Sequence, residues 1–351
     1  MRKLLITDEI MRIAIKFRTD LMAGNHYGGT RLLIKPLKRL KTLSKKFESG
    51  EVTAENADGT FRAMADAENG CYMAYVDKVI ADYKNIITIL PNQIDGKNSD
   101  MMALLGDNGN ERLRQKLKVG NQNKKSFADL IVNAMMYEET RRWILPQYIR
   151  QLGLKTCVYC NANFCITDED ENTYYDLDHW RPKSLYPWAC TSFFNLQPVC
   201  SVCNRNKGND EDLRYFGLYE SDKREERDVL HFTFPKSDVA EFILWHKHDS
   251  INVCLEAYDA ANDGISEHMN DKLHIDSLYK EHKDVVEETI WRKWVSNDSW
   301  RKSINEGLGE HGLRLTTEEV DRLIYGTYMR HEDIHKRPLT RLIQDVMESE
   351  L

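Results

Sequence analysis

The chain has no apolar run long enough to cross a membrane, a task that takes about 18 or more such residues. The apolar start, Met1 to Ile6, is cut short by Asp8 and Glu9, so no secretory signal peptide is expected. Proline and glycine are scarce, 8 and 18 in 351 residues, which excludes collagen-like and linker-dominated chains. Eight cysteines are too few for a disulfide scaffold of this length. Four of them fall in two CxxC pairs, which points to metal binding in a reducing cytoplasm. Positive charge is also short: 49 Lys and Arg face 56 Asp and Glu, a net charge of −7. A nucleic-acid protein is expected to be basic, at least locally, so that total argues against one. The first 46 residues run the other way, with twelve Lys/Arg against three Asp/Glu. Such a segment is either a solvated helix face or an electrostatic footprint for phosphates or an acidic partner.

What the chain does contain is a 41% hydrophobic content and 30% charge, enough for a core and too long a chain for one small domain. We divide it at 1–150, mainly helical, 151–215, where paired cysteines and short apolar runs take over, and 216–351, mixed and then helical. Helical spacing marks Ile10, Ile13, Ala14, Phe17 and Leu21. Leu32 to Phe47 interleaves Leu33, Leu37, Leu40 and Leu43 with Lys and Arg, a basic amphipathic pattern. The Gly/Asn/Asp-rich stretch Asp95–Asn110 reads as loop. Ser126, with Asp129 three residues on, signals a helix start, and that helix is predicted to reach about Leu145. Val229–Phe234 and Ile251–Tyr258 alternate as half-buried strands do, and helical periods resume near Ser266 with Val286, Thr289, Ile290 and Trp294 on one face.

Chemistry concentrates between residues 155 and 210. Cys157 and Cys160 form one CxxC pair and Cys200 and Cys203 the other, a donor set that suits tetrahedral Zn²⁺. Thirty-nine residues separate the pairs, more than a simple ribbon needs, so something folded should lie between. Cys165 and Cys190 read as small buried residues. Between the pairs, Thr173–His179 reads as a strand ending in Asp178 and His179, and residues 193–208 as a second strand followed by a helix. Alternation along an extended chain sends Asp178 and His179 to opposite sides, so one can bind a metal while the other faces a water. Asn204, at the helix start, can bring an amide oxygen to the same ion, and a hard Mg²⁺-like ion prefers such ligands.

The string CxxC, DHxxPKS, NLxPxCxxCNxxKG resembles the zinc-bound HNH (ββα-metal) endonuclease family, over less than a fifth of the chain. Tyr186-Pro187 through Phe193-Phe194-Asn195-Leu196 also resembles bacterial HNH proteins of phage-defence loci, the Septu-like nucleases that work with an ATPase. The resemblance implies an α+β fold, a ββα-metal HNH core with a CxxC/CxxC zinc site flanked by mainly helical regions. It implies His179 as general base, Asp178 and Asn204 as ligands of a catalytic Mg²⁺ or Mn²⁺, and Asn195 as the brace of the loop that aims His179. Asn204 stands where the family often has histidine, which bears on the preferred metal. Arg181, Lys183 and Lys207 become candidates for phosphate contacts. The implied activity is hydrolysis of DNA phosphodiester bonds in the cytoplasm, with RNA left open as substrate, an ATPase or other defence-system subunit as partner, and no membrane association.

Two other readings stand beside this one. A non-catalytic zinc module could bind nucleic acid or a partner protein, but it has no need of an acid, a base and a third ligand at these positions. His331-Glu332-Asp333-Ile334-His335 matches the HExxH zinc-protease helix. Its flanks are charged, Pro338 follows closely, and no third ligand is evident downstream, so a solvated or partner-binding helix end is expected. His246 and His248 beside Trp245 read as a strand end or turn.

Overall fold

The computed structural model describes residues 1–24, 35–225, 228–247 and 250–349. Leu33 and His248 lie outside the described residues. Helix Asp8–Ala23 starts where the Thr7 hydroxyl accepts the Ile10 amide at 3.3 Å, with Asp8 and Glu9 at its positive end. It buries the stripe its spacing predicts, Ile10, Ile13, Ala14, Phe17 and Leu21. Helix Pro36–Glu48 buries Leu40, Leu43 and Phe47 against helix Asp66–Ile86, which turns Tyr72, Tyr75, Val76, Val79 and Tyr83 inward. Phe127 meets Tyr72 edge-on at 4.7 Å and Tyr75 at 5.4 Å, so aromatic packing joins this layer to the next helix.

Three expectations for residues 1–150 need correction. A four-stranded antiparallel sheet, in the order Phe61–Ala63, Val52–Glu55, Lys116–Val119, Lys125–Ser126, lies within a region read as helical. Its strands are two to four residues long, too short to write a period of two into the sequence. Asp95–Asn110 is mostly helix, Pro91–Leu105, with Pro91 in its first turn and Ile94, Met101 and Leu105 buried, so packing outweighs the poor propensities of Gly96, Asn98 and Asp100. The Ser126-capped helix ends at Ala134. Met136 takes left-handed φ (56°), which costs about 1–2 kcal/mol for a residue with a side chain, and short helices Tyr137–Trp143 and Leu145–Gln151 follow. The break delivers Tyr137 to Leu177 O, 3.2 Å away.

The middle segment holds an antiparallel pair, Asp176–His179 with Leu196–Val199, in the register Asp178↔Gln197 and His179↔Leu196, followed by helix Ser201–Lys207. It is built into its neighbours. Ser192 Oγ donates to Ile86 O at 2.7 Å and the Phe193 amide to Ile87 O at 2.8 Å, capping the end of the long N-terminal helix. On the other side the Tyr279 hydroxyl donates to Cys160 O at 2.5 Å, and Asn161 accepts the Arg341 amide at 3.0 Å.

The two strands that alternation predicts in the C-terminal segment form at Leu230–Thr233 and Cys254–Ala257, and they pair antiparallel. Helix Lys283–Val295 buries Val286, Thr289 and Ile290, while Trp294 stays half exposed. The last helix, Thr340–Glu348, buries Arg341 completely, with its guanidinium bonded to Asp228 (2.7 Å), Asp345 (2.9 Å) and the Tyr258 hydroxyl (2.6 Å). Strand Leu4–Leu5 lies parallel to Tyr219–Glu220, so the first residues close against the third segment. Buried apolar side chains from all three segments form one continuous core.

HExxH is not an α-helix here. His331–Lys336 is a 3₁₀ turn. His331 is held between Asp228 and Glu348, and the buried His335 is within 3.2 Å of Arg2 O. The two rings engage different partners, and the segment is a turn that buries Ile334 and His335 and leaves Glu332 and Lys336 exposed, not a protease helix.

Candidate functional site

Cys157, Cys160, Cys200 and Cys203 are buried with all four sulfurs within 4.8 Å of one another. The Cys160 and Cys200 sulfurs are 4.0 Å apart. A disulfide needs about 2.05 Å, whereas a zinc tetrahedron with Zn–S near 2.3 Å has edges of about 3.8 Å. The set could therefore hold a zinc ion. Asn163 Nδ2 lies 3.8 Å from Cys160 Sγ and 3.6 Å from Cys200 Sγ, and the Cys203 amide lies 3.5 Å from Cys200 Sγ, donors suited to thiolates. Burial, with neighbouring cysteine sulfurs adding to it, pushes the Cys157 thiol well above its ordinary range, a cost that a bound divalent ion reverses by taking the thiolate. Cys165 and Cys190 are buried outside this cluster.

The two pairs flank a strand–strand–helix unit, and against it opens a cleft of about 460 Å³ lined by Tyr137, Asp178, His179, Lys183, Asn204 and Lys207, among others. His179 is 7% exposed, its ring 4.6 Å from that of Tyr137. Its Nε2 sits 3.0 Å from Cys190 O. A carbonyl can only accept, so Nε2 carries the proton and Nδ1 keeps the lone pair. Burial, reinforced by the charge of Lys183, pushes the ring's pKa down to about 3, so the imidazole is neutral at neutral pH. Asn195, fully buried, accepts the Arg181 amide on Oδ1 at 2.8 Å and donates from Nδ2 to Arg181 O (3.1 Å) and Ala189 O (3.2 Å). These bonds pin both ends of the loop between His179 and Cys190.

Asp178 Oδ2 accepts from the Tyr159 hydroxyl at 2.5 Å and from Lys207 Nζ at 2.6 Å. Its Oδ1 makes no hydrogen bond among the described residues. Asn204, half-buried, also opens on the cleft. Asp178 and Asn204 thus bring oxygen donors of the hard type to the same cleft.

Two of the three phosphate candidates are otherwise engaged. Lys207 is buried, donating also to His179 O (2.8 Å) and Tyr159 (3.1 Å), with its pKa lowered by burial. Arg181 is clamped by Asp95, at 2.9 and 2.6 Å, and donates to Leu213 O at 2.9 Å. Lys183 is exposed at the cleft with its ammonium 5.1 Å from the Tyr137 ring. The sequence reading missed Tyr159, although it sits inside the first CxxC, and Asp95, which holds Arg181 and the Tyr186 hydroxyl (2.9 Å) from the helix read as loop.

No family model matches the chain, and no solved structure matches it. Among curated proteins, the Septu protein PtuB of Bacillus thuringiensis is 40% identical over 64 residues. That stretch is 18% of this chain and 23% of the relative, so the chain spans under a quarter of the relative's length.

Proposed function

We propose that the chain is a metal-dependent endonuclease of the HNH (ββα-metal) type that hydrolyses DNA phosphodiester bonds in antiviral defence. The observation that carries this reading is one cleft holding a buried neutral histidine whose Nδ1 has no hydrogen-bond partner among the described residues, beside a carboxylate and an amide oxygen. A zinc module that only binds has no use for that combination. His179 Nδ1 takes a proton from the water that attacks phosphorus. The Cys190 carbonyl keeps the ring in the right tautomer, and Asn195 keeps the loop that carries this carbonyl in place. Asp178 and Asn204 would hold the divalent ion, whose charge would offset that developing on the leaving 3′ oxygen. Lys207 and Tyr159 orient Asp178, and Lys183 is left as the phosphate contact. The cysteine cluster holds structural zinc. Similarity to a Septu protein supports the defence role and a partner subunit from such a system.

Plasmid DNA incubated with purified protein and Mn²⁺ or Mg²⁺, alone and with the protein encoded beside it, tests the reading. Cleavage should need the added ion and vanish in His179→Ala, with zinc content and DNA binding kept. Full cleavage by a carefully purified His179→Ala protein would sink the assignment.

A further inference from the structure

Helix Pro36–Glu48 carries Lys38, Arg39, Lys41, Lys45 and Lys46 against one acid, Glu48. Leu40, Leu43 and Phe47 fix its buried side. Lys38, Lys41 and Lys45, three and four residues apart, therefore form an exposed stripe about 10 Å long at 1.5 Å per residue. A second row, Arg39 and Lys46, lines a groove of about 370 Å³ together with Lys125 from the sheet edge. Around this surface Arg39 pairs with Glu139 (3.8 Å) and Lys124 with Glu55. Lys38, Lys41, Lys45, Lys46 and Lys125 make no ion pair among the described residues.

The groove is next to the candidate active cleft. Strand alternation puts Lys125 on the groove and Ser126 on the cleft. The helix they precede, Phe127–Ala134, does the same: Ala128 and Asp129 line the cleft, Leu130 and Asn133 the groove. One helix, about 10–12 Å across, separates the two, a span of roughly three to four base-pair steps at 3.4 Å.

We infer that this surface is a docking track for the backbone of duplex DNA flanking the scissile bond, running from the His179 cleft over the Lys125–Ser126 edge onto helix Pro36–Glu48. The inference rests on the nuclease reading of the cleft. It assigns the basic segment to affinity and register, since side chains spaced along an exposed helix meet phosphates and not base edges.

The test uses full-length His179→Ala protein as parent, so that DNA stays intact, and fluorescence anisotropy of a fluorescein-labelled duplex across a salt series. Adding Lys38→Gln, Lys41→Gln and Lys45→Gln should weaken binding roughly tenfold at low salt and flatten the slope of log K against log salt by about 2.7, near 0.9 for each phosphate no longer neutralised. Zinc content and urea midpoint of the two proteins should agree. Unchanged affinity and slope overturn the inference and leave the nuclease reading standing. Binding of labelled polyglutamate instead of the duplex, sensitive to the same three substitutions, also overturns it and identifies an acidic polypeptide as the ligand. Failure of the wild type to cut plasmid, with the slope change present, refutes the nuclease reading while leaving the DNA surface in place.

Discussion

Lys207→Met is the perturbation that separates a buried structural cation from a phosphate ligand. The Lys207 side chain is 3% exposed, and its ammonium lies 2.6 Å from Asp178 and donates to His179 O and the Tyr159 hydroxyl. Methionine fills nearly the same volume but leaves the Asp178 carboxylate, 10% exposed, with only the tyrosine as donor. Removing one partner of a buried pair costs about 3–5 kcal/mol, because the other charge remains desolvated. Urea denaturation should report a loss of that order. Asp178→Asn leaves the ammonium without its counter-charge and should cost a similar amount. The double variant should then lose less than the two singles together, by about 2–3 kcal/mol, since neither residue is left orphaned. DNA affinity of Lys207→Met should stay within about twofold of wild type, a difference of roughly 0.4 kcal/mol, because the ammonium does not reach the surface. Cleavage should fall as Asp178 loses its alignment. A variant as stable as wild type but with weakened DNA binding would refute this reasoning and restore Lys207 as a phosphate ligand.

Cys157→Ser should lose the zinc expected from the four-cysteine cluster and bring aggregation or loss of the 155–210 fold, measured by elemental analysis and circular dichroism. Asn195→Ala removes three hydrogen bonds inside the core and should destabilise by about 3 kcal/mol in urea denaturation at about 1 kcal/mol per bond, with cleavage falling further because the His179 loop is loosened. His331 is raised from 6.5 to about 9 by its bonds to Asp228 and Glu348. A folded-state value above the unfolded one adds stability that is complete below pH 6.5 and lost as pH rises through about 9. The urea midpoint should therefore fall from pH 6 to pH 9, and His331→Ala should remove part of that fall. A pH-independent difference between the two proteins would argue against it.

The residues proposed for the site could be picked out of the sequence because their constraints are local. A CxxC pair aims both sulfurs at one point whatever surrounds it, and Asp178 and His179 sit at a strand end that the sequence marks by itself. The Ile10–Leu21 stripe and the Leu230–Thr233 strand were legible for the same reason, since burial of one face writes its period into the chain. Pairings between distant residues were not. Nothing in the order of residues says that Asp95 reaches across 86 positions to hold Arg181, that Met136 turns the chain so Tyr137 meets His179, or that His331 and His335 face different partners. Lys207 is the sharpest case. From sequence it is one more cation beside a phosphate site, and only the packing of helix Ser201–Lys207 over Asp178 removes it from water and makes it a partner of the carboxylate. The identity of a charged side chain is fixed by sequence, but its role follows from the dielectric around it, and that is set by every segment folded against it.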